Sequence, residues 1–326
     1  MRKSKILTSL TLTVIFSFVG ISLTASEVQV KQYKNGSIYE GEFLNGKQHG
    51  QGKYISADGY QYDGEWVEGK IQGLGIAKYK DGSVYVGGFV DSKPNGKGKL
   101  TFIDGGSYEG HWKDGNFNGK GQIIYSNGDL YEGNFLNGER HGDGKLTTPD
   151  GYLYDGEWKK NEKFGFAEIV YSNNSVYEGS IKNGNHHGKG KLTFADGLVI
   201  DGDWKDGEIN GSVKILQPNG DIYQGEMIKG KRSGKGKTTY ASGDTFEGFF
   251  SDDKRNGFGV FDSNSGHSYK GNWKNGKMSG EGKISFADGS IYEGNFLDDN
   301  ANGIGKITYP YFFFLFCRFL KDLPIA

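Results

Sequence analysis

The chain repeats itself every 23 residues, and this period constrains the fold more than any other feature. A large apolar residue, most often tyrosine, opens each of twelve units from Tyr39 to Tyr292 without any insertion. Glycine follows two residues later in every unit, and a second large apolar residue follows two places after that. No amphipathic helix shows this spacing, and a fixed period of this length is typical of stacked repeats.

Each unit contains the signals of one β-hairpin. Residues 39–43 place a ring, a glycine and a second ring at alternate positions, so the three lie on one face of a strand. Asn45-Gly46 predicts a tight turn, residues 50–54 alternate again, and Asp58-Gly59 predicts the turn into the next unit. The sequence therefore predicts an all-β fold, an elongated single-layer antiparallel meander of about 24 strands, solenoid-like and without a helical domain. At about 4.8 Å per strand it would extend roughly 115 Å before curvature.

The two faces of the predicted sheet differ in chemistry. Because glycine has no Cβ, a neighbouring ring can lie flat over bare backbone, and rings from successive hairpins are expected to stack into a ladder. On the opposite face, acids and bases such as Glu132 and Lys145 fall on adjacent strands, which predicts a charge-paired, solvated surface.

Composition agrees with a repeat array and argues against a charged partner. The 326 residues include 56 Gly but only 5 Pro, and 14% are aromatic, which is too aromatic for a disordered chain. The net charge is −1, so no overall field favours nucleic acid. Cys317 is the single cysteine, so an intrachain disulfide is excluded.

Both ends of the chain differ from the repeats. Residues 1–26 combine a basic start, an apolar stretch over 6–23 and small residues at 24–26, the order of a cleaved secretory signal peptide. The alternative is a retained membrane anchor formed by residues 6–23. The repeat array is predicted over residues 28–309, beginning with a half unit. Residues 310–326 form an apolar tail, which is interpreted as a cap on the last hairpin, an artefact of the gene boundary or a membrane contact.

The sequence contains motifs that resemble metal and phosphate-binding sites, but the 23-residue period explains all of them better. His49, His141 and His187 occupy equivalent positions, and even the shortest separation, the 46 residues from His141 to His187, means four strand spacings or roughly 19 Å, too far for a shared zinc ion. Gly236-Lys237-Thr238 lacks the earlier glycine and the strand-to-helix context of a phosphate-binding loop. The sequence thus predicts no catalytic residue, no metal site and no cofactor.

The segment Tyr131-Glu132-Gly133, followed by an aromatic residue and a glycine-rich second strand, resembles the MORN repeat. The resemblance covers residues 39–309. It departs at Ile200, which replaces the leading tyrosine, and at turns that lack glycine, such as Asp252-Asp253, where looser hairpins are expected. The resemblance implies a scaffold, because similar repeats are attached to phosphatidylinositol-phosphate kinases and other proteins, where they position an enzyme, bridge membranes or mediate assembly.

The predicted function is that of an exported, non-enzymatic scaffold that binds proteins through its aromatic and glycine face. A membrane- or phospholipid-associated targeting module is the alternative, and the location would be secreted, periplasmic or at the cell surface. A second copy of the chain and a membrane surface are further candidate partners, and nucleic acid is not. The candidate binding residues are Tyr62, Trp66, Tyr108, Trp112, Tyr131, Phe135, Tyr154, Trp158, Trp204, Tyr269 and Trp273.

Overall fold

The strands follow one another in a single sheet, each antiparallel to the strand before it. The computed structural model describes residues 27–310 and the backbone of residues 314–319, and the predicted leader over 1–26 lies outside this range. The strands are β1 Gln29–Gln32, β2 Ile38–Leu44, β3 Lys47–Ile55, β4 Gln61–Val67, β5 Lys70–Lys78, β6 Val84–Val90, β7 Lys93–Thr101, β8 Ser107–Lys113, β9 Asn116–Ile124, β10 Leu130–Leu136, β11 Glu139–Thr147, β12 Leu153–Lys159, β13 Glu162–Val170, β14 Val176–Lys182, β15 Asn185–Thr193, β16 Val199–Lys205, β17 Glu208–Leu216, β18 Ile222–Ile228, β19 Lys231–Thr239, β20 Thr245–Ser251, β21 Lys254–Asp262, β22 Ser268–Lys274, β23 Lys277–Ser285, β24 Ile291–Leu297, β25 Asn300–Thr308 and β26 Phe314–Phe319.

The sheet is open, because the described strands pair only with their neighbours in sequence. β1 pairs with β2, the chain continues in this way to β25 and β26, and no described pairing joins distant strands. The predicted all-β antiparallel meander is therefore confirmed, and the described residues contain no helix. β1 and β26 raise the strand number from the predicted 24 to 26.

Two kinds of turn alternate along the array. Within a hairpin, Asn45 and Gly46 both have positive φ, 50° and 74°, as the two-residue turn that matches strand twist requires. In the turn between hairpins only Gly59 has a positive φ, 97°. Its N–H donates to the carbonyl oxygen of Ser56 at 3.2 Å. The glycine-free turn at Asp252-Asp253 keeps the first geometry, with φ of 48° and 67°, because aspartate tolerates the left-handed region.

Each hairpin contains an irregularity that bends its second strand. Between β10 and β11 the register shifts after Gly133, so that Gly133 opposes Gly144 while Phe135 opposes Arg140. The return strand therefore carries two more residues than its partner over this stretch. Gly142 lies inside it with φ of 70°. Extra residues of this kind bend a strand and increase its twist, which gives each hairpin a concave side.

The segment after the last repeat adds one strand at the end of the sheet. The backbone of β26 pairs antiparallel with β25, with residue 314 opposite Thr308 and residue 319 opposite Gly303. Residues 311–313 and 320–326 lie outside the described part of the chain. Over the described ranges, no helix is long and apolar enough to cross a membrane.

Candidate functional site

Each leading ring lies against two residues that face each other across its hairpin, and these are glycines in most units. A Cβ added to Gly144 would stand 2.6 Å from two ring carbons of Tyr131, well inside van der Waals contact. A Cβ on Gly133 would meet backbone, 2.5 Å from the Cα of Gly144. The prediction that rings lie over backbone stripped of Cβ atoms is therefore confirmed. Ala167 and Val213 replace the second glycine in two hairpins.

The tyrosine hydroxyl ties the ring to the irregular part of the hairpin. Tyr131 Oη donates to the carbonyl oxygen of Asn134 at 3.1 Å. All ten leading tyrosines make this bond to the residue three places on, at 2.7–3.5 Å. Burial raises the pKa of Tyr131 above its ordinary value, so the hydroxyl stays protonated and remains a donor at physiological pH.

The tryptophans add a second tie between neighbouring strands. The indole Nε1 of Trp158 donates to the carbonyl oxygen of Gly144 at 2.9 Å, and Trp204 makes the same bond to Gly190 at 2.8 Å. All five tryptophans bond in this way to a glycine 14 residues earlier. The same glycine therefore contacts an aromatic ring at its Cα and accepts a hydrogen bond from an indole N–H at its carbonyl oxygen.

Neighbouring rings pack edge to face, so the predicted stacking of rings from successive hairpins is wrong. The ring centroid of Tyr131 lies 5.1 Å from that of Phe135 and 5.3 Å from that of Trp158, with interplanar angles of 82° and 86°. One face of the tyrosine ring is against backbone and the other is covered by a side chain of the return strand. Neighbouring rings can therefore reach only its edge, an arrangement that the aromatic quadrupole favours.

The covering side chain comes from the second position of each return strand. Arg140 places its guanidinium carbon 5.6 Å from the centroid of Tyr131 and 4.2 Å from that of Trp158. His186 stacks on Tyr177 with 3.6 Å between centroids and an interplanar angle of 7°. Sequence reasoning missed this position because it holds nine residue types in twelve repeats, so no single residue type marks it.

Because both faces of the leading rings are covered, the predicted aromatic face is a core. The eleven candidate residues are at most 7% exposed, and the prediction that they form a contact surface is therefore wrong. They are Tyr62, Trp66, Tyr108, Trp112, Tyr131, Phe135, Tyr154, Trp158, Trp204, Tyr269 and Trp273. Their role is to hold the hairpins together.

The opposite, charged face carries an open groove of about 980 Å³ between β6 and β12. The backbone of five glycines lines it, together with side chains of both charges. The lining charges are Lys97, Lys99, Lys120 and Lys145 against Glu109, Glu132, Asp143 and Asp155. Four positive and four negative groups give the groove no net charge, and the remaining polar lining comes from His111, Gln122 and Asn134.

Ion pairs cross this face between adjacent hairpins, which confirms the predicted charge-paired surface. Lys99 lies 3.5 Å from Glu109, and the equivalent Lys53–Asp63 and Lys283–Glu293 pairs measure 3.6 Å and 3.0 Å. The side chains of these pairs remain about half exposed or more, so each pair contributes at most about 1 kcal/mol. Their charges therefore stay available to a partner.

An apolar cluster interrupts the charged face at one end of the groove. Ile76 opposes Val86 across β5 and β6, at the positions that hold Lys99 and Glu109 one repeat later. The two are 49% and 50% exposed, and nearby Leu74 is 68% exposed. Val86 also lines the groove. Alignment of the repeats would have revealed this cluster, because an apolar pair replaces a charged pair at the same repeat position. Sequence reasoning did not use this difference.

The residues considered for metal or phosphate chemistry lie in the return strands of the hairpins. Within the part of the chain that the structure describes, no three His, Cys, Asp or Glu side chains come together as metal ligands. Gly236-Lys237-Thr238 lies in the middle of β19, with Gly236 opposite Gly225 and Gly248 in the flanking strands. His187 points to Asp206, 3.5 Å away, whereas its neighbour His186 is in the core.

The fold and this arrangement of rings, glycines and turns define a β-hairpin repeat array. The MORN repeat family model matches twelve consecutive segments, which are 39–59, 62–84, 85–107, 108–130, 131–151, 154–176, 177–199, 201–222, 223–245, 246–268, 269–291 and 292–310. The chain belongs to the MORN-repeat family. This confirms the resemblance found in the sequence.

Similarity to individual proteins is partial. Over 58 residues the chain is 45% identical to phosphatidylinositol 4-phosphate 5-kinase 1 of Oryza sativa subsp. japonica, which is 18% of this chain and 7% of the kinase. The chain thus spans less than a tenth of that relative's length. The SAS-4 TCP domain of Drosophila melanogaster, solved with a proline-rich motif of Ana2, matches with 18% identity and a TM-score of 0.32, over 55% of this chain and 90% of that one. The TCP10 domain of Danio rerio CPAP matches with 13% identity and a TM-score of 0.35, over 61% and 94%.

Proposed function

We propose that this chain is an exported, non-catalytic scaffold that binds an extended protein segment along the groove on its charged face. The observation that carries the proposal is the junction of the groove with the apolar cluster of Leu74, Ile76 and Val86. An exposed apolar cluster beside a long polar groove is typical of a protein interaction site. The proposal keeps the predicted scaffold role and moves the contact surface to the face opposite the buried rings.

The charges of the groove favour a protein segment over a polyanion. Four lysines and four carboxylates share its lining, so phosphates on a lipid surface or a nucleic acid would meet as much repulsion as attraction. A polypeptide of mixed charge can place an acid near each lysine and a base near each carboxylate. Such complementarity contributes more to specificity and register than to affinity.

The apolar cluster supplies the part of the interface that excludes water. Ile76 and Val86 occupy positions where three other repeats have a solvated ion pair, and their exposure leaves about half of each side chain in water. Covering exposed apolar area contributes about 25 cal/mol per Å². We infer that an apolar side chain of the partner segment contacts this cluster while its polar neighbours follow the groove.

A double substitution that restores the charged pair tests the proposal. Ile76→Lys with Val86→Glu copies the Lys99–Glu109 arrangement, so the fold should be kept while the apolar contact is removed. Proteins cross-linked to the purified chain in an extract of its source cells are quantified by mass spectrometry. The matched control is Ile228→Lys, which removes an exposed apolar side chain on β18, away from the groove.

We expect one or a few proteins to be captured by the parent chain and by the control, and to be lost with the double variant. Equal capture by all three chains would overturn the proposed site. Light scattering of the purified chain shows in the same samples whether a second copy is the bound protein.

A membrane-associated module is the second candidate, supported by the 45% identity to a stretch of a phosphatidylinositol 4-phosphate 5-kinase. Flotation with vesicles of neutral and of anionic lipid separates the two candidates, because only the membrane module floats with anionic vesicles. Export is tested separately by sequencing the N-terminus of the protein recovered outside the cytoplasm. A start near residue 26 supports cleavage of the leader.

A further inference from the structure

Of the twelve turns between hairpins that the structure describes in full, ten carry a tyrosine or phenylalanine ring, one carries the imidazole of His267, and one carries no ring. The ring stands either at the first position of the turn or four residues later, as with Tyr79 and Tyr60. These two positions are joined by a backbone hydrogen bond in every turn, for example from the N–H of Tyr79 to the carbonyl of Ser83 at 2.8 Å. In the exceptional turn the two positions are Gln217 and Asp221.

The turn rings form a row of their own along the edge of the core. The ring centroids of Tyr60 and Tyr79 are 5.9 Å apart, and those of Tyr152 and Tyr171 are 6.0 Å apart. Phe194 and Tyr240, on the two sides of the exceptional turn, also pack against the core. The row therefore has a gap of one ring at Gln217.

A cavity of about 420 Å³ opens where this ring is missing. Its lining includes Gln217, Asp221, Tyr240 and two further residues that are smaller or more flexible than their counterparts. Met227 stands where five other repeats have tryptophan, and Thr238 stands where every other repeat has an apolar residue. Thr238 is 4% exposed and its hydroxyl has no hydrogen-bond partner.

The backbone around the cavity is that of every other turn. The N–H of Gln217 bonds to the carbonyl of Asp221 at 2.8 Å, and the N–H of Gly220 bonds to that of Gln217 at 2.9 Å. The gap therefore comes from the side chains alone, and the surrounding structure has not closed over it. The apolar part of the lining, Ile215, Ile222 and Met227, loses packing contacts here that a bound group would restore, while Asn219, Asp221 and Asp253 form the polar part.

We propose that this cavity is a binding site for an aromatic ring supplied from outside the chain. The repeats themselves show what fits, because a tyrosine or phenylalanine ring occupies the first or the last position in ten of the eleven other described turns. Arg232 favours an aromatic over an aliphatic group. Its guanidinium borders the cavity, and its central carbon already lies 5.6 Å from the centroid of Tyr223 and 5.0 Å from that of Phe250.

The arginine is held in place for this contact. Arg232 donates from its backbone N–H to the Asp253 carboxylate at 2.9 Å and from Nη2 to the Asp253 carbonyl oxygen at 2.7 Å. Its side chain is about one-third exposed, so it can interact with an entering ring without first losing a partner. A cation held at the edge of a ring site strengthens binding through the ring's quadrupole.

The ring can be that of a free small molecule or of a tyrosine or tryptophan side chain, and a binding series separates the two. The full chain is titrated with p-cresol, indole and cyclohexanol, and with a short extended peptide that carries one central tyrosine. Binding is followed by the melting temperature and by protein NMR shifts. We expect p-cresol and indole to bind in the millimolar range and cyclohexanol at least tenfold more weakly.

Two substitutions at one position place the binding in the cavity. Gln217→Phe restores the missing ring of the row, so it should raise the melting temperature and weaken binding of both aromatic probes at least tenfold. Gln217→Ala removes the same amide and leaves the cavity open, so binding should persist.

Each outcome decides the proposal. Tighter binding of the tyrosine peptide than of p-cresol assigns the ring to a protein side chain, and the reverse assigns it to a small molecule. Absence of binding by all aromatic probes, equal binding of cyclohexanol, or unchanged binding to Gln217→Phe would overturn it. The interaction proposed for the charged face is unaffected by any of these results, because the two sites lie on opposite faces.

Discussion

The carbonyl oxygen of Gly144 accepts a hydrogen bond from the indole N–H of Trp158 at 2.9 Å, while the ring of Tyr131 lies against the Cα of the same glycine. Trp158 belongs to the following hairpin, so one glycine joins the rings of two repeats. The same relation recurs at each tryptophan. A sheet without a second layer gains its buried core in this way, because each ring is enclosed by its own hairpin and by the next.

A Cβ added to the two glycines of a pair would meet different atoms, so alanine substitutions at the two positions should differ in their cost to stability. Gly133→Ala would place a Cβ 2.5 Å from backbone, so we expect a loss of about 3 kcal/mol. Gly144→Ala meets only the side chain of Tyr131, and the pairing of Tyr154 with Ala167 shows that a hairpin can accommodate alanine at this place, so a smaller loss of about 1 kcal/mol is expected. Urea unfolding with hydrogen exchange over β10–β12 measures both. Equal losses for the two variants would contradict this explanation.

The hairpin that begins with Ile200 contains a compensated exchange. Val213 stands where most repeats have glycine and faces Gly202, so it fills the space that a tyrosine ring takes elsewhere. Ile200→Tyr and Val213→Gly should each cost about 1–3 kcal/mol, through overpacking and through a cavity respectively. The double variant recreates the common arrangement and should recover most of the loss. A coupling energy near zero in the double-mutant cycle would show that the two residues are independent.

The hydroxyl of the leading ring can be removed or added without changing its shape. Tyr131→Phe deletes the donor to Asn134, and we expect a loss of about 1 kcal/mol. Phe246 naturally lacks the hydroxyl, so Phe246→Tyr should gain stability through a bond to the carbonyl of Phe249. Calorimetric unfolding of both variants tests the pair. A stability change of the same sign in the two would count against the role assigned to the hydroxyl.

Stability should fall in acid because of His186. Burial between Tyr177 and Trp204 lowers the pKa of His186 to about 4, whereas an unfolded histidine titrates near 6.5. Between these values the unfolded chain binds a proton that the folded chain does not, so this stability is present above pH 6.5 and is lost as the pH falls towards 4. His186→Phe copies Phe117, which stacks on Tyr108 in the same position. Melting temperatures across this range should fall less for the variant, and parallel curves would exclude a role for His186.

The period and the turn dipeptides were sufficient to predict the strands. Asn45-Gly46 and Asp58-Gly59 mark chain reversals with local chemistry alone, and the alternation of rings and glycines places both on one face. Even the strand before the first repeat follows from the same pattern, since Asn35-Gly36 precedes β2. Local rules are enough here because every strand pairs with its neighbour in sequence.

The contacts between side chains could not be predicted in the same way. The two extra residues before Gly144 cannot be recognised as a bulge in the sequence, because they recur in every repeat and leave the 23-residue period unchanged. Covering residues such as Arg140 and His186 share a place but not a chemistry, so repetition does not reveal them. Without the covering residues the sequence predicts exposed rings, whereas the structure buries them. The apolar Ile76–Val86 pair and the missing ring at Gln217 are visible only as departures from an aligned period.

The hairpins extend in one open array in which strands contact only their sequence neighbours, and small-angle X-ray scattering of the purified protein tests this arrangement directly. Twenty-six strands at about 4.8 Å spacing give a path of about 120 Å, and a rod of that length has a radius of gyration of about 35 Å. A compact domain of this size would have about 20 Å. A value above about 30 Å for the monomer is expected, and a value near 20 Å would contradict the open array.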